Sequence, residues 1–247
     1  EPDALDGTLS KYKVLYLTDR HVSRAASDKI AAWVRAGGKL VATAGAGLRD
    51  EYDQPNQTML KLLGLADEKL DAPADRQIKF EKQDLPWVAP VATLDDQTPV
   101  FGATSRATVA PGAETLQKFA DGAPATTLRR IDQGAAVTFD YLPSLTYYCG
   151  VLPKRPVDRG STDDALVHFL PSDVPTDGLL VKTLFWPIDQ GAVKLPITSR
   201  GTTKSNLETT LVDSKHGTLI PVIRWTEAPK EMVEVAESVP VSTHAPS

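Results

Sequence analysis

Apolar and polar positions change period several times along the chain, and the first change carries the most information. Residues 12–18 run Tyr-Lys-Val-Leu-Tyr-Leu-Thr, β-branched and aromatic in the manner of a buried strand. Ser23 then stands where a helix cap belongs, and over residues 24–36 Ala26, Ile30, Trp33 and Val34 recur on one face at helical spacing. Gly37-Gly38 stops that helix, since glycine takes the left-handed cap conformation at no steric cost. Residues 39–44 make a second strand, and Gly45-Ala-Gly47 a tight exit from it. Two strands joined by a helix of this length predict a parallel pair, and open sheets of that kind carry their sites where strands end. Such a site would fall on residues 19–21 and 45–53.

Farther on, Pro55 and Asn56 open a short helix that draws on Met59, Leu60, Leu62 and Leu63 and ends at Gly64. Residues 67–111 read as irregular, broken by Pro73, Pro86, Pro90 and Pro99, with Ile78, Phe80, Trp87, Val88 and Val100 as anchors of short strands. A meander follows: strands over 114–120, 125–131 and 135–141, joined at Asp121-Gly122 and at Asp132-Gln-Gly134. An aromatic, proline-bearing stretch covers 144–156, with Tyr147, Tyr148 and Cys149, and short helices are expected over 163–170 and 177–186. Beyond a Ser-, Thr- and Gly-rich break, 207–212 and 218–225 read as a hairpin across Ser214-Lys-His-Gly217, and 231–235 as a last strand. The expected fold class is α/β: an open, mostly parallel sheet flanked by helices, with an added antiparallel meander and a small C-terminal β segment. Residues 10–200 would form the α/β domain, 205–237 the strands of a following sandwich-like domain, and 238–247 a flexible tail.

Composition narrows the field only a little. With 247 residues, 41% of them hydrophobic and 24% charged, the chain has an ordinary globular balance and room for a sizeable core. A net charge of -5 gives no reason to expect a nucleic-acid partner, and no apolar run is long enough for a membrane span. One cysteine excludes an internal disulfide and a cysteine-only metal cage. The chain begins at Glu1 with no apolar leader core after it, and we read it as a processed protein or a piece of a longer one.

Three segments together resemble a known family. They are residues 12–65, with Trp33-Val-Arg-Ala-Gly-Gly-Lys-Leu-Val and then Asp50-Glu-Tyr-Asp53; Phe119-Ala-Asp-Gly-Ala-Pro-Ala125 leading into Gly134-Ala-Ala-Val-Thr-Phe-Asp-Tyr-Leu-Pro143; and Glu208-Thr-Thr-Leu through Trp225. The pattern resembles the class I glutamine-amidotransferase-like (flavodoxin-like) domain that forms the middle, trimerisation-associated module of β-galactosidase-type glycoside hydrolases. The likeness covers residues 10–148 directly, and the third segment resembles the opening of the β-sandwich that follows. In that arrangement a catalytic barrel precedes the module, and nothing here supplies eight β-α units. The resemblance therefore implies an accessory domain that packs against other domains of its parent or against further copies of itself. It also implies export to the periplasm or beyond.

The chemical candidates are few. Amidotransferases of this class mount a cysteine on a sharp strand-to-helix turn beside backbone N–H groups. The matching turn here is Thr43-Ala-Gly-Ala-Gly47, with Ala44 in the nucleophile's place, and no His-x-Glu pair occurs in the chain. Cys149 lies in a different element and reads as a small buried hydrophobe. His21, His168, His216 and His244 are widely spaced and show no metal-ligand pattern. His21 is the one singled out, because with Asp19 it stands at a strand end opposite Asp50, Glu51 and Asp53. These five residues could bind a carbohydrate, a cation or another polar ligand, or His21 with an acid of the 50–53 loop could serve an unrecognised hydrolase, while their structural reading is that they cap loops and stay solvated. Adjacent acids on one loop do not set the spacing of a glycosidase pair. Asp163-Asp164 is explained by the first turn of a helix, and Gly45-Ala-Gly47 lacks the remainder of a phosphate loop. No catalytic residue, cofactor or metal is expected in this chain.

Overall fold

The computed structural model describes residues 2–71, 90–148, 179–190, 197–199, 207–224 and 241–243. A short helix α1 (Pro2–Leu5) and a 3-10 turn (Thr8–Lys11) lead into strand β1 (Val14–Leu17). Helix α2 (Arg24–Arg35) begins where the Ser23 side chain accepts from the Ala26 N–H, and it buries Ala26, Ile30, Ala31 and Val34. At its far end Gly38 lets the chain pass close under the helix, for a Cβ there would stand 2.4 Å from the Trp33 ring. Strand β2 (Lys39–Ala42) then pairs parallel with β1. Helix α3 (Gln57–Leu63), capped by Asn56 and ended by Gly64 at φ 77°, buries Met59, Leu60, Leu62 and Leu63.

Seven further strands follow in chain order, β3 (Leu65–Asp71), β4 (Ala92–Thr93), β5 (Pro99–Val100), β6 (Thr104–Val109), β7 (Ala113–Lys118), β8 (Pro124–Ile131) and β9 (Gly134–Phe139), and then three helices, α4 (Pro143–Tyr148), α5 (Leu179–Leu184) and α6 (Trp186–Asp189). The main sheet runs β1-β2-β9-β8-β7. Its β1, β2 and β9 are parallel, and β9, β8 and β7 form the antiparallel meander that the Asp-Gly and Asp-Gln-Gly turns predict. This is the expected α/β class. Strand alternation sends Leu40, Ala42 and Ala136 to one face, under α2 and α3, and Val41, Val137, Phe139 and Tyr141 to the other. On that second face Tyr141 meets Phe139 and Phe119 edge-on, at 5.5 and 6.3 Å between ring centres.

The stretch read as irregular, 67–111, holds more order than its prolines suggest. β3 and β6 pair antiparallel over six positions, with a register shift between Leu65 and Asp67. β3 reads Leu-Ala-Asp-Glu-Lys-Leu-Asp, acidic and without a β-branched residue, so its strand character comes from pairing rather than from composition. Ile78, Phe80, Trp87, Val88, Cys149, His168, His244, the helix over 163–170 and the strand over 231–235 lie outside the described residues. The predicted C-terminal hairpin is present in two ladders, β11 (Leu207–Thr209) with β14 (Val222–Arg224) and β12 (Val212–Ser214) with β13 (Gly217–Leu219). Within the segment read as a tail, β15 (Val241–Thr243) pairs with β10 (Ile197–Ser199).

Candidate functional site

The five residues singled out in the sequence meet at one edge of the sheet, and each already serves a loop or a helix end. An isolated bridge between His21 and Arg49 sets the β1 exit loop beside the β2 exit loop. Asp19 Oδ1 accepts from the His21 N–H at 3.0 Å, and the Asp19 carbonyl accepts from Gly47 N–H at 2.8 Å. His21 Nε2 lies 3.1 Å from Asp53 Oδ1, in an exposed pair. That hydrogen bond holds the Asp53 carboxyl below its ordinary range.

Beside this string runs a second one. Asp50 is almost wholly buried: its Oδ1 accepts from the Tyr52 and Gln54 N–H groups at 2.9 and 2.8 Å, and its Oδ2 from Arg24 Nε at 2.7 Å. Burial pushes its carboxyl up, but those three donors outweigh burial and leave it below the ordinary aspartate range. Glu51 accepts from the Arg24 N–H at 2.8 Å, so a carboxylate sits on the first turn of α2, where the helix dipole favours it. Asn56 ties the whole edge down. Buried, it donates to the Val22 carbonyl and Ser27 Oγ at 2.9 and 2.8 Å while accepting from Met59 N–H at 3.2 Å. Among the described residues, no three His, Cys, Asp or Glu side chains gather in a way that could hold a metal ion.

A groove of about 400 Å³ follows the outer edge of β1 beside these loops, and its lining includes Leu9, Tyr12, Tyr16, Asp19, His21 and Ile30. Tyr12 and Tyr16 are about half exposed, though Tyr16 Oη already donates to the Leu184 carbonyl at 3.1 Å.

The exit turn of β2 offers no chemistry. Ala44 is buried, and its N–H donates to the Tyr141 carbonyl at 3.2 Å. The left-handed position of the turn is Gly45, at φ 78°, where a Cβ would stand 2.9 Å from a Leu70 methyl. The chain then runs on as a loop, and the next helix starts only at Gln57. Ala44 and Gly45 carry no nucleophile.

Sequence reasoning missed a second acidic group. Asp140, at the end of β9, is fully buried, and its Oδ1 accepts the Ser105 hydroxyl at 3.0 Å. Glu68 on β3 accepts the Gly45 N–H at 3.1 Å. Burial and the nearby Glu68 charge push Asp140 up to about 8, and burial pushes Glu68 up as well. The available signal was an aspartate directly after the Val-Thr-Phe run of a strand. Glu68 gave none, because it lay in a stretch read as irregular.

No protein-family model matches the chain, and no curated protein matches its sequence. Solved structures do match. One is a catalytic mutant of a GH42 β-galactosidase from G. stearothermophilus, with 14% identity and a TM-score of 0.57 over 90% of this chain and 28% of that one. A β-galactosidase from Bacillus circulans sp. alkalophilus matches with 15% identity and a TM-score of 0.52 over 87% of this chain and 27% of the other. At such identities the likeness is one of fold. The chain spans little more than a quarter of the length of these proteins.

Proposed function

We propose that this chain is a non-catalytic accessory domain of a larger β-galactosidase-like glycoside hydrolase, where it packs against neighbouring domains or further copies of itself. The observation that carries this reading is a fold shared over nine-tenths of the chain with about a quarter of a β-galactosidase. The β2 exit turn supports it, since Ala44 and Gly45 leave an amidotransferase-type bend without a nucleophile. The amidotransferase-like name for the fold belongs to this reading too. So does the state of the loop acids, which are engaged by their own loops rather than aimed at a shared point. The purified chain is expected to hydrolyse neither a nitrophenyl galactoside nor glutamine. Turnover of either that disappears with a single substitution would overturn the proposal. Light scattering of the same sample reports whether copies associate.

A second reading has one observation in its favour, the groove along β1 where two half-exposed tyrosines meet Asp19 and His21. Aromatic faces beside a carboxylate and an imidazole suit a sugar. Calorimetric titration with a panel of mono- and oligosaccharides decides it: heat that vanishes with Tyr12→Ala favours a carbohydrate-binding module, and no heat across the panel dismisses it.

A further inference from the structure

Asp140 lies at the end of a main-sheet strand and Glu68 in the β3–β6 pair, and the Ser105 hydroxyl on β6 stands by both acids. Asp140 Oδ2 and Glu68 Oε2 are both sealed from solvent and have no hydrogen-bond partner among the described residues. The donors at hand are the Ser105 hydroxyl, bonded to Asp140 Oδ1, and the Gly45 N–H, bonded to the other Glu68 oxygen. Thr127 and Thr138 face one another in register on the same side of the sheet as Asp140. Their hydroxyls are buried and likewise unbonded among the described residues. The charged groups around the pair do not neutralise it. Asp67, next to Glu68 on β3, adds repulsion. Arg106, next to Ser105 on β6, favours an ionised Asp140, but its guanidinium pairs with Asp121 at 3.1 Å and lies over the Phe119 ring at 4.4 Å.

Two ionised carboxylates in such a place would have one hydroxyl and one amide as donors, an arrangement that desolvation and repulsion both oppose. A single proton removes one charge and supplies the missing donor. We propose that Glu68 and Asp140 hold one proton between them, that this proton fastens the β3–β6 pair over the exit turn of β2, and that its loss frees the cover.

The direction with pH follows from the folded and unfolded states of Asp140. Unfolded, it titrates near 3.8, while in the fold it is held protonated up to about 8. Between those values the folded chain keeps a proton that the unfolded chain has released. Folding therefore weakens as pH rises, by up to about tenfold in its equilibrium constant for each pH unit.

Amide hydrogen exchange on the whole chain from pH 5 to 9, corrected for the intrinsic rate, tests the latch. Amides of β3 and β6 are expected to lose protection by at least tenfold over this range. In Asp140→Asn, which keeps the shape and removes one of the two titrating groups, the loss should shrink. Constant β3–β6 protection in the unaltered chain, or an equal loss in Asp140→Asn, overturns the proposal. If Asp140→Asn fails to fold, the carboxyl ¹³C titration of Asp140 in the unaltered chain decides, and ionisation below pH 5 is the overturning result.

Discussion

At the C-terminal end of the sheet two groups of acids lie within a few residues of each other along the strands, and they are built in opposite ways. In the surface loops, the exposed Asp19, Glu51 and Asp53 and the buried Asp50 all have donors: backbone N–H groups, the Arg24 guanidinium or the His21 ring. Under the β3–β6 cover, Glu68 and Asp140 have oxygens with no donor among the described residues and only the distant, already engaged Arg106 as a counter-charge. Most of that group is exposed, where water screens any mismatch, and yet each of its acids has a donor, the buried Asp50 three. The buried group sits where a mismatch costs most. Burial alone is therefore a poor guide to which acids are inert. The surface acids work as staples that shape the loops, and the tension lies inside.

Asn56→Ala should produce the largest change, because it removes the tie that holds the surface group in shape. Three hydrogen bonds converge on its buried side chain, from the β1 exit loop, the first turns of α2 and the start of α3. Their loss, with the Val22 carbonyl left bare, should cost about 3 kcal/mol in a denaturant titration. Asn56→Asp keeps the helix-capping oxygen and loses both donors, so it should recover part of that loss. A neutral Asn56→Ala would mean that the bonded group does not shape the loops, and the contrast between the two groups would fail.

The same contrast explains what the sequence could and could not disclose. The parallel pair, the capped helix between them and the three-strand meander were legible because Ser23, Gly37-Gly38, Asp121-Gly122 and Gly134 punctuate runs of clear period. The surface acids were legible as well, since they sit on loops next to strand ends in a simple β-α-β reading. β3 was not. Its Asp-Glu-Lys core has the composition of a solvated loop, and only pairing with β6 and the burial of one side of it make it a strand. With β3 hidden, nothing placed Glu68 near Asp140, for a proximity spanning some seventy residues of chain leaves no trace in local pattern. The resemblance to a β-galactosidase module fares similarly: the fold is shared at 14% identity, where strand order persists and side-chain roles need not.

Ser105→Ala sharpens the comparison from the buried side. Its hydroxyl is the bonded donor to Asp140, and it lowers the proton affinity of both acids. Removing it should cost about 1–2 kcal/mol near neutral pH. It should also raise the titration of the pair further, so that the fall in stability continues to higher pH than in the unaltered chain. Denaturant midpoints measured from pH 5 to 9 report both effects. An unchanged pH dependence would separate Ser105 from the acid pair and leave the buried group as a simple packing feature.

His21→Ala should have the smallest effect, and its smallness is informative. Both partners of the His21–Asp53 pair are well exposed, with side chains 50% and 70% accessible, so water replaces the lost contact and the melting temperature should stay unchanged within error. Asp53 should still report the change. Its carboxyl lies below the ordinary range first because of the His21 hydrogen bond, with Arg49 and Arg20 adding to it, so the variant should titrate closer to an unperturbed aspartate by ¹³C NMR. A lowered carboxyl favours the fold at pH above its ordinary value and loses that contribution as pH falls through the depressed one, so any small stability difference between His21→Ala and the parent is present at neutral pH and closes towards the acid end. A large loss at neutral pH would show the exposed pair holding structure that its solvation does not suggest, and the two acidic groups would then differ less than their burial implies.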